Sequence, residues 1–295
     1  MQSADFLSAV FFYLKEGETL NQNWIVENLN NAFSTWNGKL GELWGLVTTG
    51  PQTFKGGAVW SVMQTLHNGM VGVGYALVVL FFAISLCKNT MNFHELKRPE
   101  AAIHYFLRFV AAKTLVGYGM DIMLNVFSIC NGIVTDMADS MGGISEAMVS
   151  LPAEMQTAIE NVGFLASIPL WLVTILGSLF ITVLSFVMIL TVYGRFFRLY
   201  MYTALAPLPL AAFAGESTQS VGISFLKSYV GVCLEGAVIV LACVIYSAFV
   251  STPTVASGEA TTIVWSYLAE TVFNMLVLVG LIKGSDRIIH EMMGL

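Results

Sequence analysis

Charged residues inside long apolar runs are the side chains of this sequence that could support chemistry. The stretch "SFLKSYVGVCLEGAV" places Lys227 and Glu235 within a run that is otherwise apolar. If the run crosses a bilayer, a charge near its middle costs about 3 kcal/mol on insertion scales, so the residue must pair with another charge, face water or bind a proton. The candidates for intramembrane charge pairing are Glu235, Arg108, Lys113, Asp121 and Glu270.

Depth along each run predicts which charges pair. Lys227 and Glu235 are separated by about 12 Å of helical rise and about 80° of rotation, so they do not pair with each other. Lys227 lies close enough to its end of the run to reach lipid headgroups, whereas Glu235 lies about 21 Å along it, near the middle of a core about 30 Å thick. We predict that Glu235 pairs with Lys113, with Arg108 and Glu270 as substitutes. The alternatives are a protonated Glu235 or charges that face a hydrated pore.

The composition is that of a membrane protein. Of 295 residues, 56% are hydrophobic and 11% are charged, against about 25% charged in ordinary soluble domains. We find no phosphate-binding loop, zinc-protease motif, nucleophile elbow or paired metal ligands, and the four histidines are scattered. The sequence therefore predicts that the protein is not an enzyme and needs no cofactor, with bound phospholipid as the exception.

Apolar runs long enough to span a bilayer predict an all-α polytopic membrane protein with five transmembrane helices. The predicted spans are about 59–87, 101–130, 164–194, 221–250 and 262–282. Basic residues follow the first, third and fifth spans, whereas the loops after the second and fourth contain acidic residues and no basic one. Because basic loops stay in the cytoplasm, we expect the N-terminus outside and the C-terminus in the cytoplasm.

The N-terminal part of the chain is too polar to cross. Residues 1–57 are predicted to form an extracytoplasmic amphipathic helical segment, followed by the membrane domain at 58–295. The apolar residues that recur at helical spacing are Leu7, Val10, Phe11 and Leu14, then Val26, Leu29, Phe33 and Trp36. We expect a pair of helices that lies on the outer leaflet or binds a partner, and both readings stay open.

The segment "RFFRLYMYTALAPLPLAAFAGE", residues 195–216, is apolar but contains Pro207 and a second proline two residues later. Proline ends a helix, so we predict an elbow on the cytoplasmic side. Arg195 and Arg198 are three residues apart and share a helix face. At headgroup depth they would bind lipid phosphate, as Lys227 would, or serve as topology anchors.

The stretch "NGMVGVG" places Gly69, Gly72 and Gly74 in the first span. Small residues let helices approach closely within a membrane. The segment is therefore a candidate interface between copies of the chain, or a site of close packing within one copy.

The elbow and its neighbours resemble a known family. In the TrbL-type polytopic subunits of type IV secretion and conjugative DNA-transfer machines, an arginine-bearing helix end, an Ala-Pro-Leu elbow and a polar turn into the next span recur. Here Arg195 and Arg198, Ala206 to Leu208, and Ser217 to Lys227 match them. The resemblance covers about residues 59–290.

This resemblance implies a scaffold or channel subunit in a bacterial cytoplasmic membrane. It implies a homo-oligomer, a pentamer, beside the ATPase and the pilus or stalk proteins of the machine, that helps to pass single-stranded DNA with its attached relaxase. The residues themselves leave two other functions open: a small-solute or proton-coupled transporter that uses the intramembrane charges, and a phage or toxin-type membrane protein.

The predicted orientation can be tested with single cysteine reporters in intact cells. A cysteine at Ser140, after the second span, should react with a membrane-impermeant thiol reagent, because that loop is expected outside. A cysteine at Asn92, after the first span, should stay unlabelled until the cells are opened. Labelling at Asn92 with protection at Ser140 would invert the orientation.

Overall fold

The computed structural model describes residues 2–90, 99–140, 148–162, 164–249 and 260–295. The regular elements in this part of the chain are helices. The α-helices are α1 (Gln2–Thr48), α2 (Ala58–Thr90), α3 (Pro99–Gly117), α4 (Gly119–Ser140), α5 (Ala153–Glu160), α6 (Phe164–Leu205), α7 (Pro207–Ala211), α8 (Gln219–Phe249) and α9 (Ala260–Met293). Short 3-10 helices occupy Phe54–Gly57 and Ala212–Ala214.

Within the described residues, four helices are long and apolar enough to cross a membrane. They are Phe54–Lys88, Ser167–Leu205, Gln219–Phe249 and Thr262–Met293, and they correspond to the first, third, fourth and fifth predicted spans. The second predicted span is divided between α3 and α4 at Tyr118, which two glycines flank. The backbone N–H of Tyr118 donates to Thr114 and its carbonyl accepts from Ile122. The division is therefore a local distortion that helical hydrogen bonds bridge.

The chain forms two compact units. The first contains Met1–Trp44, Met141–Thr191 and Leu241–Lys283, and the second contains Gly45–Ser140, Val192–Val240 and Gly284–Leu295. Residues 1–57 are therefore divided between the two units.

In the first unit, the expected pair of N-terminal helices is the single helix α1. Its second apolar stripe (Val26, Leu29, Phe33 and Trp36) is buried. On the same helix, Asn28 Nδ2 donates to Ser178 Oγ of α6 at 3.0 Å, and the ring of Trp24 lies 5.7 Å from that of Trp171. This stripe therefore packs inside the protein. The side chains of the earlier stripe (Leu7, Val10, Phe11 and Leu14) lie outside the described residues.

In the second unit, the elbow is shorter than predicted because α6 continues as a helix through both arginines to Leu205. Pro207 begins α7, where a missing N–H costs no hydrogen bond. The elbow packs on α2 and α3. The buried side chain of His67, on α2, hydrogen-bonds through Nδ1 to the carbonyl of Thr203 at 2.7 Å. That carbonyl belongs to the last turn of α6, where carbonyls lack helical partners.

The three glycines of α2 have different surroundings. A Cβ at Gly74 would lie 2.9 Å from the carbonyl oxygen of Pro207 and 2.9 Å from Val116, so this glycine lets the elbow pack directly on α2. Gly69 and Gly72 are exposed, and a Cβ at either would meet nothing within 4 Å. Gly74 therefore packs within one copy, and the other two leave a face of α2 open.

Replacing Gly74 with leucine should separate the elbow from α2. We expect Gly74→Leu to lower the free energy of unfolding in detergent by about 1–3 kcal/mol, as overpacking does elsewhere. Gly132→Leu is the matched control, because Gly132 is an exposed helical glycine whose Cβ would meet nothing within 4 Å. Equal stabilities of the two variants would show that close approach at Gly74 is unimportant.

Candidate functional site: a buried arginine and carboxylate network

Two arginines on one face of α6 form the centre of a polar network within the second unit. Arg195 is fully buried, and the side chain of Arg198 is about a quarter exposed (28%). Because they are three residues apart on a helix, both point toward the same neighbours. A buried guanidinium must have all its charge and its N–H groups satisfied by the protein.

Main-chain carbonyls accept the hydrogen bonds that the guanidinium of Arg195 donates. Its Nε and Nη2 donate to the carbonyls of Val232 and Cys233 in α8 at 3.3 and 3.2 Å. Its Nη1 donates to the carbonyl of Val47 at 3.3 Å. Val47 lies in the last turn of α1, where carbonyls have no helical partner and the helix dipole is negative. Arg195 thus caps α1 and joins that end to α6 and α8.

Gly236 gives the guanidinium of Arg195 its space. A Cβ at this position would lie 2.8 Å from Nη1 and 2.9 Å from Nη2. Any other residue at 236 would require the guanidinium of Arg195 to shift from this position. The Leu-Glu-Gly sequence in α8 therefore places a carboxylate next to a glycine that leaves room for the guanidinium of Arg195.

Carboxylates neutralise the charge of Arg198 and accept its hydrogen bonds. Its Nη2 lies 2.7 Å from both oxygens of Glu235, and its Nη1 donates to Asp286 Oδ1. Glu235 is 1% exposed and also accepts a hydrogen bond from Ser285 Oγ at 3.1 Å. Charge-assisted bonds of this kind are about twice as strong as neutral ones. Arg198 therefore connects α6 to α8 and α9.

The formal charges of the network cancel. Two arginines and two carboxylates sum to zero, and His290 Nε2 lies 3.6 Å from Asp286 Oδ1 at the exposed edge. Breaking one member of such a network leaves an uncompensated buried charge, which costs about 3–5 kcal/mol. What the arrangement does chemically is hold segments of four helices together: α1, α6, α8 and α9. Among the residues that the structure describes, no cluster of histidine, cysteine or carboxylate side chains has a metal-binding arrangement.

The structure replaces the predicted pairing of Glu235 with Lys113 by the pair with Arg198. Lys113 is exposed on α3, because α3 packs on α2 and the elbow. The other charge-pairing candidates are elsewhere: Arg108 faces Glu216 at 3.8 Å, and Asp121 and Glu270 are exposed.

The three residues predicted to bind lipid headgroups lie in different surroundings. Arg195 and Arg198 turn into the protein, because α6 continues past them and buries their face, so neither is the predicted headgroup anchor. Lys227 is exposed on α8. Sequence reasoning missed Ser285 and Asp286, whose polar side chains lie in the predicted cytoplasmic tail. The only signal in the sequence was that both residues lie just after the end of the last predicted span. That position does not show which residue of α6 or α8 they contact.

Comparison with known families gives a match to a conjugal-transfer family. The family described as "TrbL/VirB6 plasmid conjugal transfer like protein" matches residues 36–207, which is more than half of the chain. The match includes Arg195, Arg198 and Pro207 and ends before Glu235. Neither a curated protein nor a solved structure matched the chain.

A double-mutant cycle tests the Arg198–Glu235 pair. Arg198→Met should lower the free energy of unfolding in detergent by about 3–5 kcal/mol, because it leaves the buried carboxylate of Glu235 without its charge partner. Glu235→Leu should lower it by a smaller amount, because Arg198 is partly exposed and keeps its contact with Asp286. The double variant should lose clearly less than the sum, since it leaves neither charge. Arg287→Gln is the control, because the Arg287 side chain is 86% exposed, and it should change little. Additive losses, or a large loss from Lys113→Gln, would contradict the observed pairing.

Proposed function

Because the chain belongs to the TrbL/VirB6 plasmid conjugal transfer-like family, we propose that it is a scaffold or channel subunit of a conjugative type IV secretion machine in the bacterial cytoplasmic membrane. The family match carries this proposal, since it covers α6 with both buried arginines and reaches the elbow. Four apolar helices support a multi-pass membrane location. The subunit would help to translocate single-stranded DNA with its attached protein.

The buried network favours a scaffold or channel over a transporter. A small-solute or proton-coupled transporter would use intramembrane charges to bind its substrate or ion. Here Glu235, which the sequence predicts to lie near the middle of the membrane core, is held by Arg198 and Ser285. These charges fix helices to one another and leave transport to surfaces formed between subunits.

The proposed topology has five crossings, with the N-terminus outside and the C-terminus in the cytoplasm. The second crossing would be α3 and α4 together, bent at Tyr118. The distribution of basic residues supports the orientation. Trp171 and Trp265, at the beginnings of α6 and α9, are 38% and 53% exposed, which suits tryptophans at a membrane interface.

We propose that copies of the chain assemble through α2 into a homo-oligomer, a pentamer. Of the four apolar helices, α2 is the least buried within the chain, and Gly69 and Gly72 lie on its open face beside exposed Val73. Small residues on an unpartnered apolar face allow close helix contact between copies. The ATPase and the pilus or stalk proteins of the machine are the expected further partners.

The function can be tested in donor cells from which this chain has been deleted. Deletion should reduce transfer to recipients by orders of magnitude, and the wild-type chain should restore it. After formaldehyde cross-linking, precipitation of the tagged chain should recover the transferred strand only in donors with active relaxase.

Gly72→Leu should insert in the membrane but form no rings and support no transfer, whereas Gly132→Leu should behave as wild type. Normal transfer without the chain would contradict the proposal, and lost transfer without strand recovery would favour a scaffold over a channel.

A further inference from the structure

A cavity of 610 Å³ in the second unit has the features of a lipid site. It lies between one face of α3 and the segment that joins the elbow to α8. Its lining includes His104 and Arg108 from the first half and the middle of α3, Leu115 near the end of that helix, and Phe213, Glu216 and Gln219 from the elbow and the start of α8. The buried arginine and carboxylate network contributes no residue to this lining.

The polar end of the cavity has one positive and one negative group side by side. Arg108 Nη1 and Glu216 Oε2 are 3.8 Å apart, which is longer than a hydrogen bond; the Arg108 side chain is 32% exposed and the Glu216 side chain 63%. Each therefore has hydrogen-bonding capacity for a third group. Gln219 is the first residue of α8, so the positive end of that helix dipole adds to the attraction for an anion next to Arg108.

The other end of the cavity is apolar. Ala111 and Leu115 line it from α3, and together with Leu107, which lies level with Arg108, they follow one side of the helix at intervals of four residues. Leu115 lies about 10 Å further along the axis than Arg108. Phe213 forms the facing wall, and a Cβ at Gly222 would lie 2.5 Å from its ring, so this glycine leaves the ring its space. The cavity is thus polar at one end and apolar at the other, as a phospholipid is.

We propose that this cavity binds one zwitterionic phospholipid with a primary ammonium headgroup. The phosphate lies against Arg108 and the start of α8, the ammonium lies against Glu216, and an acyl chain follows Leu107, Ala111 and Leu115. Charge decides the lipid class: the two facing charges sum to zero, and an anionic headgroup without an ammonium would leave Glu216 unpaired beside a phosphate.

Co-purified lipid is the first measurement. The chain is purified from bacterial membranes in mild detergent, and bound phospholipids are quantified by mass spectrometry. The wild type should retain about one ethanolamine phospholipid per chain, and Arg108→Gln should retain at least about fivefold less, because a charge-assisted bond to phosphate is lost. Lys113→Gln is the matched control: Lys113 is exposed on the same helix but does not line the cavity. Equal retention in these two variants, whether high or low, would overturn the site.

Two further variants separate headgroup from folding effects. Arg108→Lys keeps the positive charge and should restore most of the lipid retention that Arg108→Gln loses. Glu216→Gln removes the ammonium partner and should shift the bound lipid from phosphatidylethanolamine toward phosphatidylglycerol. An unchanged headgroup ratio in Glu216→Gln would overturn the assignment of a zwitterionic lipid.

Thermal unfolding in detergent distinguishes a phospholipid from a free phosphate compound. Added phosphatidylethanolamine should raise the unfolding temperature of the wild type more than that of Arg108→Gln. Phosphorylethanolamine and inorganic phosphate at the same concentration should have little effect, because they lack the chain that contacts Leu107 and Leu115. Equal stabilisation by inorganic phosphate would identify a phosphate site and overturn the lipid proposal.

Discussion

Two guanidinium groups inside an apolar helix set the main constraint on this structure. Arg195 and Arg198 share one face of α6, and an unpaired cation there would cost several kcal/mol. The structure satisfies Arg195 with carbonyls from α1 and α8, and Arg198 with carboxylates from α8 and α9. The positions of these helix segments in the second unit follow from that requirement. Each segment brings either a helix end with free carbonyls or a carboxylate.

Glycines permit this arrangement at two places where one element must approach another closely. Gly236 leaves space for the guanidinium of Arg195 on α8, and Gly74 leaves space for the elbow on α2. The two contacts have different consequences. The first lets a charge reach carbonyl oxygens, and the second lets a proline-containing turn pack on an apolar helix without a gap. Side chains larger than hydrogen would disturb both.

The charged residues have different roles, and these roles bear on the function of the protein. Charges in α6, α8 and α9 neutralise one another and hold these helix segments together within the second unit. The open face of α2 and the cavity beside Arg108 remain as surfaces for other molecules. The proposed function requires a stable body within the membrane and surfaces that contact other copies and lipid. The proposed roles of α2 and of the cavity assign these two tasks to separate residues.

The sequence by itself determined the membrane class, four of the spans, the elbow at Pro207 and the family, because apolar runs and prolines act locally along the chain. It also identified Glu235 as a buried charge that needs a partner. Only the tertiary structure decided which partner. Depth along predicted helices favoured Lys113, but depth does not specify which helices are neighbours. The burial of Arg195 and Arg198 likewise depended on α6 continuing past the expected end of its span, where the end of α1 and the carboxylates of α8 and α9 satisfy charges that would otherwise remain at the membrane surface.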